Sequence, residues 1–349
     1  MSRRKLTRQQ RWRVEKVQAE RAERANRRAE RDEASLDAGE HGAERPGRVA
    51  AHFGRSLEVE AHDADGALTR HRCHLRANLE GLVTGDRIVW REAADGTGVV
   101  VARGERTSVL ERPDARAQMR PVAANIDQIL IVVASEPAPY GNLIDRYLVA
   151  AENTGIAPVL VLNKSDLLPD QGGEARELLS RYATLGYTVI EASARVDHGL
   201  GGLHAQLDGR TSVFVGQSGV GKSSLIDRLL PEETLRIGAL SEESRKGKHT
   251  TTTARLYPLP RNGEPGAARQ GDLIDSPGIR EFGLWHLDEQ QIADGFIEFQ
   301  PLLGACRFRD CRHRAEPGCA LLDAVERGAI HPQRFASFQR IRDDVAAAR

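Results

Sequence analysis

The chain has 349 residues, with 50 Lys+Arg against 50 Asp+Glu, 40% hydrophobic residues, 33 Gly, 15 Pro and 4 Cys. That length suggests two to three domains, and a formal net charge of +0 would ordinarily argue against nucleic acid as a partner. The longest plain apolar run, Ile129 to Ala134, is far short of the roughly 20 residues of a membrane span, and no apolar segment follows the basic N-terminus as a secretory signal requires. The expectation is a cytoplasmic, monomeric protein with no membrane partner.

Neutrality is a cancellation. Residues 1–31 hold 12 Lys/Arg and 4 Asp/Glu, a surplus of eight that the rest of the chain offsets. Residues 1–45 carry almost no large apolar side chains and cannot build a core. Glu20/Arg24 and Glu23/Arg27 lie at i,i+4 and would support an exposed helix. The segment reads as a disordered basic arm, either a solvated tail or a contact for RNA.

Residues 46–112 change to short alternating runs at 48–50, 57–60, 87–90 and 98–101, punctuated by Asp65-Gly66, Gly85-Asp86 and Asp95-Gly96. Short strands separated by turn signals predict a small β-barrel of the OB type, serving RNA or serving only as a packing module. Residues 113–285 alternate strand and helix. The runs 128–133, 159–162, 188–190, 212–215 and 272–274 are short and mostly apolar throughout, as strands buried on both faces are. The reading is α/β: a mostly parallel sheet covered by helices, with ligands at the strand ends. In residues 286–349, Phe335, Phe338, Ile341 and Val345 recur at helical spacing and read as core.

The chemistry sits at those strand ends. Gly216-Gln217-Ser218-Gly219-Val220-Gly221-Lys222-Ser223, followed by Ser224, satisfies G-x-x-x-x-G-K-[ST] between a strand and a helix. Its glycines let backbone N–H groups wrap phosphates, Lys222 reaches the β/γ-phosphates, and the Ser223 hydroxyl suits Mg²⁺. Asn163-Lys164-Ser165-Asp166 follows the strand at 159–162, and a carboxylate at Asp166 can accept both N–H groups on one edge of guanine, a pair adenine lacks. GTP is therefore selected over ATP. Ser193-Ala194 would complete the base pocket, and Asp275-Ser276-Pro277-Gly278 would place an acid at Mg²⁺ and the Gly278 amide at the γ-phosphate. Between them, Lys246 to Thr253 reads as a switch loop whose Thr250 and Thr251 could cap Mg²⁺. Asn163 precedes Gly216, the reverse of the usual GTPase order, so the domain is circularly permuted.

Cys306-x4-Cys311-x-His313-x5-Cys319 offers three thiolates and one imidazole, a closed tetrahedral set suited to structural Zn²⁺. Arg307, Arg309, Arg312 and Arg314 surround it, while Cys73 stands apart as a buried or inert thiol.

Together these features resemble the ribosome small subunit-dependent GTPase A family (RsgA/YjeQ) over residues 46–349. The resemblance implies a barrel, a permuted GTPase domain and a C-terminal zinc knuckle with the ligands Cys306, Cys311, His313 and Cys319. It implies GTP hydrolysis to GDP, stimulated by the small ribosomal subunit and its rRNA, in late subunit maturation. Two departures are Ser276, where the family often has Thr, and a long loop at 261–271. The place where many GTPases carry a water-positioning Gln is Ile279, so intrinsic turnover should be slow. The family implies that His249 supplies the missing polar group; a solvent-facing loop histidine is the alternative. A second overall reading is an rRNA-binding placeholder in which GTP tunes affinity and hydrolysis is incidental. A membrane-anchored signalling GTPase lacks any lipidation motif.

Overall fold

In the computed structural model the described residues are 41–347, apart from 55, 64, 77–78, 80, 114–117, 169–172, 197, 231–253, 265–266, 276–283 and 285. The chain divides into two compact units, ending and beginning at Arg106 and Thr107. Most of the basic arm, the switch loop with His249, Thr250 and Thr251, and Gly278 and Ile279 lie outside the described residues.

The first unit contains β1 (His41–Phe53), β2 (Ser56–His62), β3 (Leu68–Leu75), β4 (Arg87–Ala93) and β5 (Gly98–Arg103). Their order is β1-β2-β3-β5-β4, and β4 pairs back to β1, which closes a five-stranded barrel without free edges. Neighbours are antiparallel except β3 and β5. Val49, Leu57, Val59, Cys73, Ile88, Trp90 and Val100 form the core. Trp90 fills so much of the interior that a Cβ on Gly98 would lie 2.4 Å from its ring. The barrel starts at His41, inside the stretch whose composition reads as arm, because charged residues there find cross-strand partners: Arg45 donates to Glu92 and Arg91 to Glu44, both at 2.9 Å. Cys73 is fully buried, and burial followed by the Glu92 charge pushes its thiol up to about 12, so it stays an inert core thiol.

The second unit opens with the hairpin β6 (Val109–Pro113) and β7 (Met119–Ala124). Residues 109–112, read above with the barrel, thus pair with β7. There follow β8 (Gln128–Ala134), α1 (Gly141–Thr154), β9 (Ala157–Asn163), α2 (Gly173–Thr184), β10 (Thr188–Glu191), α3 (Gly201–Leu207), β11 (Thr211–Val215), α4 (Lys222–Leu229), β12 (Arg255–Pro260) and β13 (Arg269–Asp275). Strands β10-β9-β8-β11-β13 run parallel, and β12 joins β13 antiparallel. Leu130, Val132, Val161, Phe214, Leu225, Leu229 and Leu273 pack between sheet and helices. Every residue of β8 and β11 is buried, which is why those runs carry no polar alternation.

The chain ends in α5 (Glu289–Asp294), α6 (Ala320–Glu326) and α7 (Pro332–Ala347). Phe296, Phe299, Phe335 and Phe338 of this region make a core with Val149 and Ala150 of α1. Phe296 and Phe299 stack at 4.9 Å between centroids, and Phe338 meets both edge-on at 5.7 and 5.3 Å. Phe335, Phe338, Ile341 and Val345 are buried here, as their spacing predicts.

Candidate functional site

Parallel strands β9, β10, β11 and β13 end at the same side of the sheet, and each end carries one of the motifs. The register aligns Val213 with Ile274, which brings half-buried Asp275 level with the strand that feeds Gly216. The phosphate loop needs its glycines sterically. Gly216 and Gly221 have φ of +140° and +90°, and a Cβ would meet Val132 O at 2.2 Å in the first and Asn163 Nδ2 at 2.4 Å in the second. Gly221 caps α4 without a side chain. The first-turn amides of α4 are thereby left for an anion, where the helix dipole also favours one. Lys222 Nζ arches back over the loop and donates to the carbonyls of Gly216 and Gln217, both at 2.6 Å. Ser218, Gly219, Ser223 and Ser224 are exposed, whereas Val220 is locked in the core.

The base-reading motif and the phosphate loop are one piece of structure. Asn163, buried at the end of β9, donates Nδ2 to Val220 O at 2.8 Å, while its Oδ1 is buried without a hydrogen-bond partner among the described residues. Lys164 adopts φ +58° and donates Nζ to Gly219 O (3.0 Å) and Glu136 O (2.6 Å). Ser165 begins a single 3-10 turn and donates its N–H to Ala192 O at 3.1 Å. Asp166 is exposed and accepts from Ser193 Oγ at 2.5 Å. Ser193 is fully buried, and its N–H donates to Gly199 O at 2.9 Å; Ala194 packs partly against the core. Asn163, Lys164, Ser165, Asp166, Ser193, Ala194 and residues 216–224 therefore meet at one pocket edge. Sequence reasoning missed Glu136 and Gly199. Glu136 contributes only a carbonyl, and Gly199 is required because a Cβ would lie 2.5 Å from Ser193 O. Neither leaves a side-chain signature.

The second cluster is formed by Cys306, Cys311, His313 and Cys319, whose ligand atoms all lie within 4.8 Å of one another. His313 Nδ1 stands 3.5, 3.6 and 3.3 Å from the sulfurs of Cys306, Cys311 and Cys319, and Cys306 and Cys319 are 3.9 Å apart. Zn–S near 2.3 Å and Zn–N near 2.0 Å in a tetrahedron imply ligand separations of about 3.5–3.8 Å, so the donor set fits that ion. Burial, and then the Arg342 guanidinium, lower the His313 pKa and favour the neutral imidazole that metal ligation requires. Gln339 Nε2 donates to His313 O at 3.3 Å, and Ala320 N–H donates to Cys306 Sγ at 3.4 Å. Arg307, Arg309, Arg312 and Arg314 are exposed around it.

The RsgA GTPase family model matches residues 103–285. The chain belongs to the RsgA GTPase family. The small ribosomal subunit biogenesis GTPase RsgA of Chromohalobacter salexigens is 72% identical over 343 residues, 98% of each chain. The protein of the same name from Hahella chejuensis is 54% identical over 346 residues, 99% of this chain and 97% of that one. Among solved structures, YjeQ from Thermotoga maritima superposes with a TM-score of 0.67 at 28% identity, covering 88% of this chain and 100% of that one. YloQ, a circularly permuted GTPase, superposes at 0.66 over 88% of this chain and 97% of that one; at 24% identity it speaks for the fold. As an RsgA GTPase the chain hydrolyses GTP to GDP and phosphate, on a permuted domain preceded by a five-stranded barrel. No helix among the described residues is long and apolar enough to cross a membrane.

Proposed function

We propose that this chain is a small-subunit biogenesis GTPase, cytoplasmic and monomeric, that binds the small ribosomal subunit through its rRNA late in maturation and leaves it when GTP is hydrolysed. The observation that carries the reading is the welding of the base-reading motif to the phosphate loop through Asn163, Lys164 and Gly219, in a chain that matches an RsgA relative over 98% of both lengths. Its parts are the basic arm ahead of His41, the barrel from His41 to Arg106, the GTPase domain from Thr107 to residue 285 and the zinc-bearing region at 286–349.

In that reading Asp166 selects guanine, with Asn163, Lys164, Ser165, Ser193 and Ala194 shaping the base pocket. The loop from Gly216 to Ser224 binds the phosphates, and Lys222 neutralises charge that develops on them during transfer. Ser223, Asp275 and Thr251 of the switch would hold Mg²⁺, with Thr250 and Gly278 near the γ-phosphate. When bound, Mg²⁺ would supply charge stabilisation at the transferring phosphoryl group. His249 orders water once the subunit docks. Cys306, Cys311, His313 and Cys319 hold one Zn²⁺, which shapes the Arg-ringed loop for rRNA. The placeholder reading, with hydrolysis incidental, is not favoured in a family of GTPases.

The deciding measurement is GTP turnover with and without isolated small subunits at two salt concentrations. Stimulation that fades with added salt is expected, since phosphate contacts release counterions. His249→Ala should bind GTP normally yet lose stimulated turnover by about 100-fold, within the range of positioned proton-transfer groups; unchanged stimulated kcat would remove this role. Deleting residues 1–40 should weaken subunit binding and flatten its salt slope with GTP affinity intact, and an unchanged slope would reduce the arm to a tail.

A further inference from the structure

Arg334, near the start of α7, is a charged residue enclosed in the second unit, its side chain 7% exposed. Nε and Nη2 donate to the two oxygens of Glu298 at 2.7 and 2.8 Å, and Nη1 donates to Asp145 Oδ1 of α1. Tyr182 of α2 donates its hydroxyl to the same Asp145 oxygen at 2.6 Å. The guanidinium also lies 4.4 Å from the centroid of Phe296 and 5.4 Å from that of Tyr182. One side chain thus ties α1, α2, the segment after α5 and α7 together, at the floor of a cleft of about 820 Å³. Burial lowers the Arg334 pKa, but the Glu298 bonds and the Asp145 charge outweigh it and hold the group protonated. A fully paired buried cluster of this kind contributes little net stability against an apolar substitute, and its directional bonds to Glu298 and Asp145 are made in the register the helices adopt here.

The same N-terminal end of α1 borders the phosphate loop. Pro137, Tyr140, Leu143 and Ile144 face Gln217 and Val220 of the phosphate loop across a narrow gap. Lys164 Nζ clips Glu136 O to Gly219 O across the same seam. Ile144, a wall of that gap, is the residue before Asp145. A shift of Asp145 relative to α7 therefore moves the surface against which the phosphate loop rests.

We propose that Arg334 is a positioning residue for the phosphate loop, holding α1 in one register against α7 so that nucleotide occupancy and the order of the C-terminal helices are coupled through α1. The proposal rests on the GTPase reading for its nucleotide and on the subunit reading for one of its two readouts. It is independent of the switch segment after Asp275.

The test is amide hydrogen exchange of residues 332–347 in the full-length protein with and without GDP, in the native chain and in the variant R334M/D145N/E298Q. That variant replaces the charges by groups of similar volume and avoids leaving a buried carboxylate unpaired, so it should fold. GDP is expected to slow exchange of these amides at least about fivefold in the native protein, the lower end of ordinary site-to-site coupling. Less than about twofold slowing is expected in the variant, with GDP affinity within about threefold of native. Arg146→Ala removes an exposed α1–α7 ion pair, Arg146 with Asp344 at 2.8 Å, and should behave as native. Arg334→Lys, keeping charge without the two-pronged bond, should restore part of the slowing. Native-like slowing in the triple variant, no slowing in the native protein, or equal loss in Arg146→Ala would each overturn the proposal. With small subunits present, the triple variant should lose stimulated kcat at unchanged KM. If the native protein is not stimulated at all, the subunit reading fails, and the exchange experiment still decides this one.

Discussion

The nucleotide pocket and the cysteine cluster are built by opposite means. The pocket draws residues from positions 163, 193, 216 and 275, far apart in sequence, to the ends of neighbouring parallel strands, of which β9, β11 and β13 are largely buried and β10 is the partly exposed edge. Its geometry is secured by backbone hydrogen bonds and by side chains donating to carbonyls, as Asn163 and Lys164 do. The cluster draws all its ligands from residues 306–319, a stretch of turns that reaches regular structure only where α6 begins. Around it the protein supplies local bonds such as Arg307 N–H to Gly318 O at 2.9 Å and side-chain tethers to α7, Gln339 to His313 O and Arg314 to Asp343, in place of strand pairing. A pocket ordered by the core exists before its ligand does, whereas a loop ordered by four donors depends on the ion they hold.

The sharpest way to break that contrast is at Asp166, where the pocket's shape should survive and only its chemistry change. An amide at this position accepts one hydrogen bond and donates one, so Asp166→Asn no longer matches the two adjacent donors of guanine and instead matches a base with a carbonyl at that edge. Turnover of GTP should fall by at least about 100-fold in kcat/KM while xanthosine triphosphate gains, because a site built to pair polar groups rejects a partner that leaves them unpaired. Comparable use of both nucleotides before and after the change would show that Asp166 does not read the base.

Metal removal tests the other half. Zinc binding in small zinc-finger peptides is worth on the order of 10 kcal/mol and is spent on folding. Cys319→Ser, or a strong chelator, should therefore abolish the single equivalent of zinc measured by metal analysis and lower the thermal midpoint of the C-terminal region. Intrinsic GTP turnover should persist and subunit stimulation should vanish. A chain that keeps its midpoint and its stimulation without zinc would erase the distinction between the two regions.

The same contrast explains what was legible in the sequence. The strands at 128–134, 157–163 and 211–215 were readable because burial on both faces demands continuous apolar runs, and the phosphate loop because its glycines answer close backbone approaches. Strand β3 escaped: in Leu-Thr-Arg-His-Arg-Cys-His-Leu only Cys73 is buried, so no alternation of apolar residues announces it. Strand β12 escaped because Pro258 and Pro260 argue against a ladder, although β13 pairs with it. On α7 the apolar positions were found, but Arg334 and Arg342 are as buried as they are. A charged residue is placed inside by partners, and those of Arg334 lie at 145 and 298. Spacing along one helix carries no trace of such pairs.

The smallest expected effect separates surface from pocket. Arg176 of α2 donates to both oxygens of Glu191 at 2.6 and 2.8 Å, at the end of β10 and two residues before Ser193. Both side chains are about two-fifths exposed, so water and salt screen the pair. The Arg176 hydrogen bond holds the Glu191 carboxyl below its ordinary 4.5. A carboxylate whose folded pKa is depressed adds stability that is complete above the unfolded value and is lost as pH falls through the folded one. Arg176→Ala should therefore lower the melting temperature by no more than about 2 °C at pH 7. The difference from native should close below pH 4 and shrink at about 1 M salt, where the screening length is only about 3 Å. A gap that survives acid would mean that Arg176 acts by packing rather than by charge. A rise in GTP KM beyond about twofold would mean that this exposed pair helps to set the Ser193 loop, and that order in the base pocket extends to the surface.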